Sequence, residues 1–385
     1  MPLLLFDREP YASLVIRGIF KRTGAACAAV ASGVLVIAAA VPAQAASTPG
    51  WRQVVSKHYG PAHDYSGYGV VVANGKDSAW ALGGTDLSGG NGTVQRPVAM
   101  RWNGRNWSGY NLPSGLTSNI IAASAPAAND IWAVTSFGGY ILHWNGTAWS
   151  VAKRLPWNGK GLQPQLTGVV ALSAKNVWVF GGSGYTLGWG TWHYNGKSWS
   201  QWRGNAGDLA NASAVSAGNI WAIGGPLAPQ SAIVHYTGAW RLVTAKALSG
   251  LQFSSIRAFS AKDVWVTATT QTNGFQSWLV HYNGSTWARV KLPWAMTVGA
   301  LTADGHGGLW VTGSNVTQKG AYTFYVVHRT ATGALSRITV GPSLTSGVSL
   351  SSVALIPGIS SVWGAGSVQS RTVGGNAVIW AYGQI

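Results

Sequence analysis

Short apolar runs alternate with polar turns through residues 51–385, and the apolar positions never take up a helical period. One unit shows the pattern in full. It opens on a run of small apolar residues, LTGVVALS, and turns before Asn176 into NVWVFGG. A variable stretch leads to TWHYNG, and the chain then enters KSWSQW. Period-two alternation rich in Val, Thr and Trp predicts β-strands, and the scattered Gly argues against helix. Each unit therefore reads as four strands, a to d. Asn-Gly joins apolar segments at Asn103-Gly104, Asn145-Gly146, Asn195-Gly196 and Asn283-Gly284. That pair between strands predicts a hairpin closed by a two-residue type I′ turn.

The unit recurs. Its strand-b Trp falls at Trp80, Trp132, Trp178, Trp221, Trp265, Trp310 and Trp363. The intervals, 43 to 53 residues, match one four-stranded blade of a β-propeller. The last unit runs out after VIWAYGQI, whereas Trp51-Arg52-Gln53-Val54-Val55 has the look of a strand d without partners. The fold expected is all-β: a seven-bladed propeller of four-stranded blades, its ring closed when the N-terminal strand joins the last blade and covers an open edge.

Residues 1–45 stand apart. Lys21-Arg22 precede an apolar run over 25–41, and Ala43-Gln44-Ala45 follows, the order of a secretory signal peptide cut after Ala45. The run is short for a membrane span, which needs about 20 residues. The stretch before Lys21 is long for a leader, so translation is expected to start downstream of Met1. Residues 46–385 form the propeller domain, secreted or held at the cell surface. Cys27 is the single cysteine and lies in the leader, so the mature chain has no disulfide and must rest on its core.

Strand b ends in Gly-Gly at Gly83-Gly84, Gly181-Gly182 and Gly224-Gly225, and an aromatic residue and then a Trp follow. This pattern resembles degenerate kelch repeats over residues 51–385. The resemblance is to secreted kelch-like propellers of actinobacterial type, similar in fold to the central domain of galactose oxidase. It implies the propeller but no copper site, because the crosslinked Cys-Tyr pair of such oxidases needs a Cys that the mature chain lacks. Sialidase-type propellers would carry Ser-x-Asp-x-Gly-x-x-Trp boxes and a catalytic Glu, which are also missing.

Position in the repeat separates packing from chemistry. The strand-b Trp and the strand-d Trp (Trp51, Trp107, Trp149, Trp199, Trp240 and Trp287) recur, as bricks do; Leu335 or Ser336 replaces the latter once. His143, His193, His235, His281 and His328 recur just before the strand-c aromatic, so they sit around a ring rather than about one ion, and no metal site is expected. Asp77, Asp130 and Asp263 share the a–b turn with Asn176 and Asn219, where short polar side chains bond nearby backbone. Asp64, Asp86, Asp208 and Asp304 are left as acids. Paired-carboxylate chemistry is poorly supplied by them. No nucleophile elbow, P-loop or zinc-protease motif is present, so no catalytic residue and no cofactor are assigned.

Loop length varies between strands b and c and between d and a, which open on one face, and rigid scaffolds bind through such loops. Six Trp fall outside the repeat, at positions 157, 189, 192, 202, 278 and 294. Trp157, Trp189, Trp202 and Trp294, with Asp86 and Asp208, are the candidate ligand-binding residues. Their faces suit sugar stacking; capping the ends of the core is the other reading. Beyond residue 45 the chain holds 22 Lys and Arg against seven Asp and no Glu, a formal +15 that favours anionic partners. Arg52, Lys153, Arg154, Arg203, Arg241, Arg289, Lys291 and Arg337 lie on or just after strand d, either as a binding girdle or as guards against edge pairing. No specific nucleic-acid motif is found. The function expected is a secreted, monomeric, non-enzymatic binding or scaffold protein that meets an extracellular glycan, an anionic envelope polymer or a protein. The alternative is a hydrolase or lyase on extracellular polysaccharide, using Asp86, Asp208 or His306 near a central pocket.

Overall fold

A computed structural model describes residues 50–60, 65–86, 95–156, 164–181, 190–202, 208–225, 231–270, 276–316, 322–340, 347–370 and 374–385, all within the unit Thr48–Ile385. The chain opens with β1 (Arg52–Lys57), then β2 (Tyr65–Gly75), β3 (Ser78–Asp86), β4 (Arg96–Trp102) and β5 (Trp107–Tyr110). Next come β6 (Ile120–Ala127), β7 (Asp130–Thr135), β8 (Tyr140–Trp144) and β9 (Trp149–Arg154). The following sheet is β10 (Leu166–Ser173), β11 (Asn176–Gly181), β12 (Thr191–Tyr194) and β13 (Trp199–Trp202). After it come β14 (Asp208–Ser216), β15 (Asn219–Gly225), β16 (Ala232–Tyr236) and β17 (Trp240–Val243). The fifth group is β18 (Gln252–Ser260), β19 (Asp263–Thr270), β20 (Gln276–Tyr282) and β21 (Trp287–Lys291). The chain finishes with β22 (Thr297–Ala303), β23 (Leu309–Val316), β24 (Tyr322–Arg329) and β25 (Leu335–Thr339), then β26 (Val348–Leu355), β27 (Val362–Ser370) and β28 (Gly374–Tyr382).

From β6 to β25 the strands form five antiparallel four-stranded sheets. The others form one eight-stranded sheet, in which β1 pairs with β28, and a single parallel pair, Tyr65 with Gly375, links β28 to β2. Strand a carries a bulge in each group, for example between Leu166 and Gly168 and between Leu350 and Ser352. The bulge pushes a strand-a carbonyl toward strand b. A Cβ on Gly83, Gly181, Gly313 or Gly366 would collide with the carbonyl oxygen of Gly67, Gln165, Thr297 or Ser349 respectively. The strand-b glycines thus mark a close backbone approach.

The Asn-Gly hairpins differ from the expected two-residue turns. Trp144 pairs with Trp149 and Tyr194 with Trp199, which leaves four-residue loops. In each loop the Asn Oδ1 accepts the backbone N–H groups two and three residues on, as at Asn145 and Asn195. The following Gly takes positive φ, 95° at Gly146 and 88° at Gly196. The Asn side chain builds the turn here, and a longer loop follows from that capping.

The core lies between sheets rather than within one. Seven apolar clusters among the described residues each combine two strand groups that follow one another in the chain, except one that joins the first group to the last. Every strand-b Trp is at most 6% exposed. Trp178 meets Tyr236 and Trp240 of the next sheet, Trp221 meets Tyr282 and Trp287, and Trp310 meets Tyr382 and Trp51. A buried ring of this size removes about 150–250 Å² from water, roughly 4–6 kcal/mol by area.

On its other side the Trp carries a polar plate. Trp132, Trp178, Trp221, Trp265 and Trp310 stack on His143, His193, His235, His281 and His328, with centroids 3.7–4.2 Å apart. Each His Nε2 bonds the a–b turn residue: Asp130, Asn176, Asn219 and Asp263 at 2.9 Å, and Asp304 at 2.8 Å. Asn serves at the same distance as Asp, so the His is held by geometry and not by a carboxylate charge. Asp304, left over as a free acid in the sequence, belongs to this turn set. A five-residue a–b connection displaces it along the chain. It also accepts the N–H groups of His306 and Gly308. Burial alone would raise its pKa; the bonds from His328 and these two amides, with the His328 charge, bring it below the usual value.

Two outcomes follow. Trp178→Ala is expected to cost about 3–5 kcal/mol in urea unfolding, because it leaves a cavity between two sheets; a loss below 1 kcal/mol would mean that the inter-sheet Trp does not carry the core. Stability is also expected to fall in acid in two stages. Desolvation lowers the pKa of His193 and His235 below 6.5, so their contribution is complete above that value and declines as pH drops through it. The depressed Asp304 acts later, its contribution being lost as pH falls through its folded value. Unfolding measured from pH 8 to pH 3 checks both stages, and His193→Gln/His235→Gln should remove the first only.

Candidate functional site

Two places could hold a ligand: the cavity at the centre and the face on which the long connections open. The cavity, of about 590 Å³, is lined by seven strands, β2, β6, β10, β14, β18, β22 and β26. Its walls are mostly Gly, Ala, Val and Ser, because strand a must stay slender where the groups converge. Hydroxyls and an amide on one inner strand accept free backbone N–H groups of the next. Ala171 N–H bonds Ser124 Oγ (2.9 Å), Ala258 bonds Ser213 (3.0 Å) and Leu355 bonds Thr302 (3.1 Å). Ile256 bonds Asn211 Oδ1 (3.2 Å) and Val71 bonds Ser352 (3.1 Å). Among the described lining residues none is acidic and none is His; Arg257 is the charged one. Sequence reading passed over Arg257, since a charged residue in an alternating strand looks solvent-facing. Comparison with the small residues at the same place in other units is the signal that exposes it.

The opposite pattern governs the connections. In five of the seven strand groups the a–b turn is two residues long, whereas b–c connections run from three to nine and d–a connections from five to eleven. The described candidates, Trp202, Trp294, Asp86 and Asp208, fall in or beside four different strand groups on this variable side. Trp157 and Trp189 lie outside the described residues. Trp202 ends β13, half-buried, tilted against Trp178 and edge-on to Tyr236 of the next sheet. Trp294 follows β21 and packs beside a different core cluster, with the Arg337 guanidinium 5.2 Å from its ring centroid. Asp86 closes β3 opposite Tyr65, and Asp208 opens β14 opposite Gly225. The structure therefore places Trp202 and Trp294 in separate inter-sheet cores rather than in one cleft. His306 is exposed in its turn and does not line the central cavity.

Several of the basic residues have local duties. Arg289 donates to the Ala247 and Ser249 carbonyls and lies over Trp278, Arg154 lies over Tyr140, and Arg337 also covers Tyr325. In the first strand group Arg101 takes the place that His holds elsewhere and spans Trp80 and Trp144. Arg241 and Lys291 stay exposed on the outer strands, and Arg203 lies outside the described residues. The half-buried Tyr59 and the buried Tyr68 bond each other through their phenol oxygens at 2.8 Å. Desolvation raises both pKa values, so neither supplies a phenolate near neutral pH. Among the described residues no three His, Asp or Glu could share a metal ion, and no helix is long and apolar enough to cross a membrane.

No protein-family model matches this sequence, and no curated protein is similar to it. Solved structures are. YCF48 bound to a D1 peptide shares 13% identity over 90% of this chain and 100% of that one, with a TM-score of 0.56. A catalytically inactive virginiamycin B lyase from Staphylococcus aureus, crystallised with quinupristin, shares 11% over 88% of this chain and 100% of that one, TM-score 0.59. The GH74 xyloglucanase from Xanthomonas campestris shares 14% over 86% of this chain and 53% of that one, TM-score 0.55. Likeness at such low identity speaks to architecture, and with sheets joined through inter-sheet Trp cores the fold of this chain is a β-propeller.

Proposed function

We propose that this chain is a secreted, kelch-like, seven-bladed propeller that binds an extracellular glycan or protein through its loop face and performs no catalysis. The eight-stranded sheet is read as two blades that touch at one residue pair. Seven inner strands around one cavity and seven inter-sheet cores support that count. The pairing of β1 with β28, which supplies the last blade with its outer strand, supports closure by the N-terminal strand.

One observation carries the functional reading. Five described His are engaged in repeated packing: His and Asx pairs recur at the same place in five blades, while the long, variable connections open on one side. A scaffold that keeps its chemistry for structure and varies its loops is built to present a surface. Neighbours of the same fold include a protein bound to a peptide and two enzymes, so fold alone does not choose. The formal +15 of residues 46–385 would hold the protein near an anionic envelope. Residues 1–45 would direct export and be removed, leaving a monomeric chain that begins at Ala46.

Three measurements test this. Mass spectrometry of protein recovered from the culture medium should give an N-terminus at Ala46. Deleting residues 50–57 should lower the melting temperature and cause self-association in light scattering, because the edge of β28 is uncovered; an unchanged monomer would exclude closure by β1. An array of glycans, peptides and polyanions should return a binder that survives 0.5 M salt, whereas attraction to charge alone would disappear as salt rises. Release of a cleaved product from any arrayed polysaccharide would replace this reading with the enzymatic one.

A further inference from the structure

The inner strands carry one position that can be compared unit by unit: the residue paired with the strand-b Trp. It is Val72, Ser124, Val170, Ser213, Arg257, Thr302 and Ala354. Three of these seven are hydroxyl residues, and each hydroxyl accepts a backbone N–H from the next inner strand. The others are apolar and small, with one exception. Arg257 can accept nothing, so it does not serve the inter-strand bonding that its position serves elsewhere.

Nor does Arg257 find an alternative duty. Five other arginines, at positions 101, 154, 289, 329 and 337, lie over aromatic rings. Arg257 has no carboxylate, carbonyl or ring partner among the described residues, although it meets solvent inside the cavity. The side chain is exposed within the cavity, and desolvation by the surrounding walls lowers its pKa from the ordinary value. Its guanidinium donors are thus open to a ligand that enters the cavity.

The geometry points to an anion site in the central cavity, where the Arg257 guanidinium grips the oxyanion of a small molecule. The planar fork offers paired N–H donors that match a carboxylate or a phosphate oxygen pair. A cavity near 590 Å³ falls in the range that encloses a small ligand, and its Ser, Thr and Asn residues could bond the remainder of that ligand. Among the described lining residues no carboxylate competes for the fork. This site is separate from the loop face and does not depend on what that face binds.

The test uses the mature protein, titrated with inorganic phosphate or sodium acetate against sodium chloride at equal ionic strength and followed by calorimetry and thermal shift. The key variant is Arg257→Ser, which copies Ser124 and Ser213 and is therefore compatible with the fold; Arg257→Lys is a second variant that keeps the charge without the fork. Arg241→Met, on an outer strand, is the control. The expected result is saturable binding of one anion per chain to the wild type and to Arg241→Met, at least tenfold weaker in Arg257→Ser and intermediate in Arg257→Lys. The phosphate and acetate arms show which oxyanion is preferred. Equal responses in all four proteins would mean general screening of a basic surface and would overturn the site. So would a wild type that responds to neither anion beyond chloride.

Discussion

Everything in this propeller depends on one contact: a Trp on the second strand of each strand group, driven against its neighbour, where six of the seven meet aromatic rings and Trp265 meets Arg329. A single four-stranded sheet cannot bury both its faces. The packing solves this by making each strand group the cover of the next, with the Trp buried at every joint. In five of the seven groups a stacked His and the Asx turn fix that Trp from behind. The glycines of strand b let the bulged inner strand come close enough for the joint to form.

This arrangement explains how a chain with a single cysteine, and so no internal disulfide, can be held together. Repeated inter-sheet cores hold it, and beside them the His and Asx groups satisfy one another. It also explains why five of the described imidazoles lie beside a carboxylate or an amide without meeting one another. Three of the five pairs join His to Asp, as a catalytic pair would, yet two use Asn in the same geometry. An arrangement indifferent to the carboxylate is a packing device. What escapes the repeat is informative for the opposite reason: variable loops on one side, and Arg257 in the middle, solve no problem that the other units share.

The neighbours of known structure fit a scaffold of this kind. They share the propeller at 11–14% identity while differing in what their names say they bind or cleave. Conservation of the joint and freedom of the loops would produce that outcome, because the inter-sheet cores constrain little outside themselves.

The sequence by itself determined the repeat, the strand order within a unit and the role of the recurring Trp and His, because these follow from spacing and from the need to bury apolar area in the same way each time. It also revealed that Trp51 belongs to a strand without a local partner. Tertiary structure alone decided the rest. Only in space does the Asn of each Asn-Gly pair cap two amides and lengthen the hairpin, since sequence shows the pair but not its hydrogen bonds. Only in space does Asp304 leave the pool of free acids to meet His328 across 24 positions of chain. Trp202 and Trp294, set outside the repeat by spacing, prove to pack on separate inter-sheet cores, because burial depends on the facing sheet and not on the interval. Arg257 looks ordinary in its own strand. It becomes singular when seven strands converge and leave it as the charged side chain among the described residues of a shared cavity, a property that no local pattern encodes.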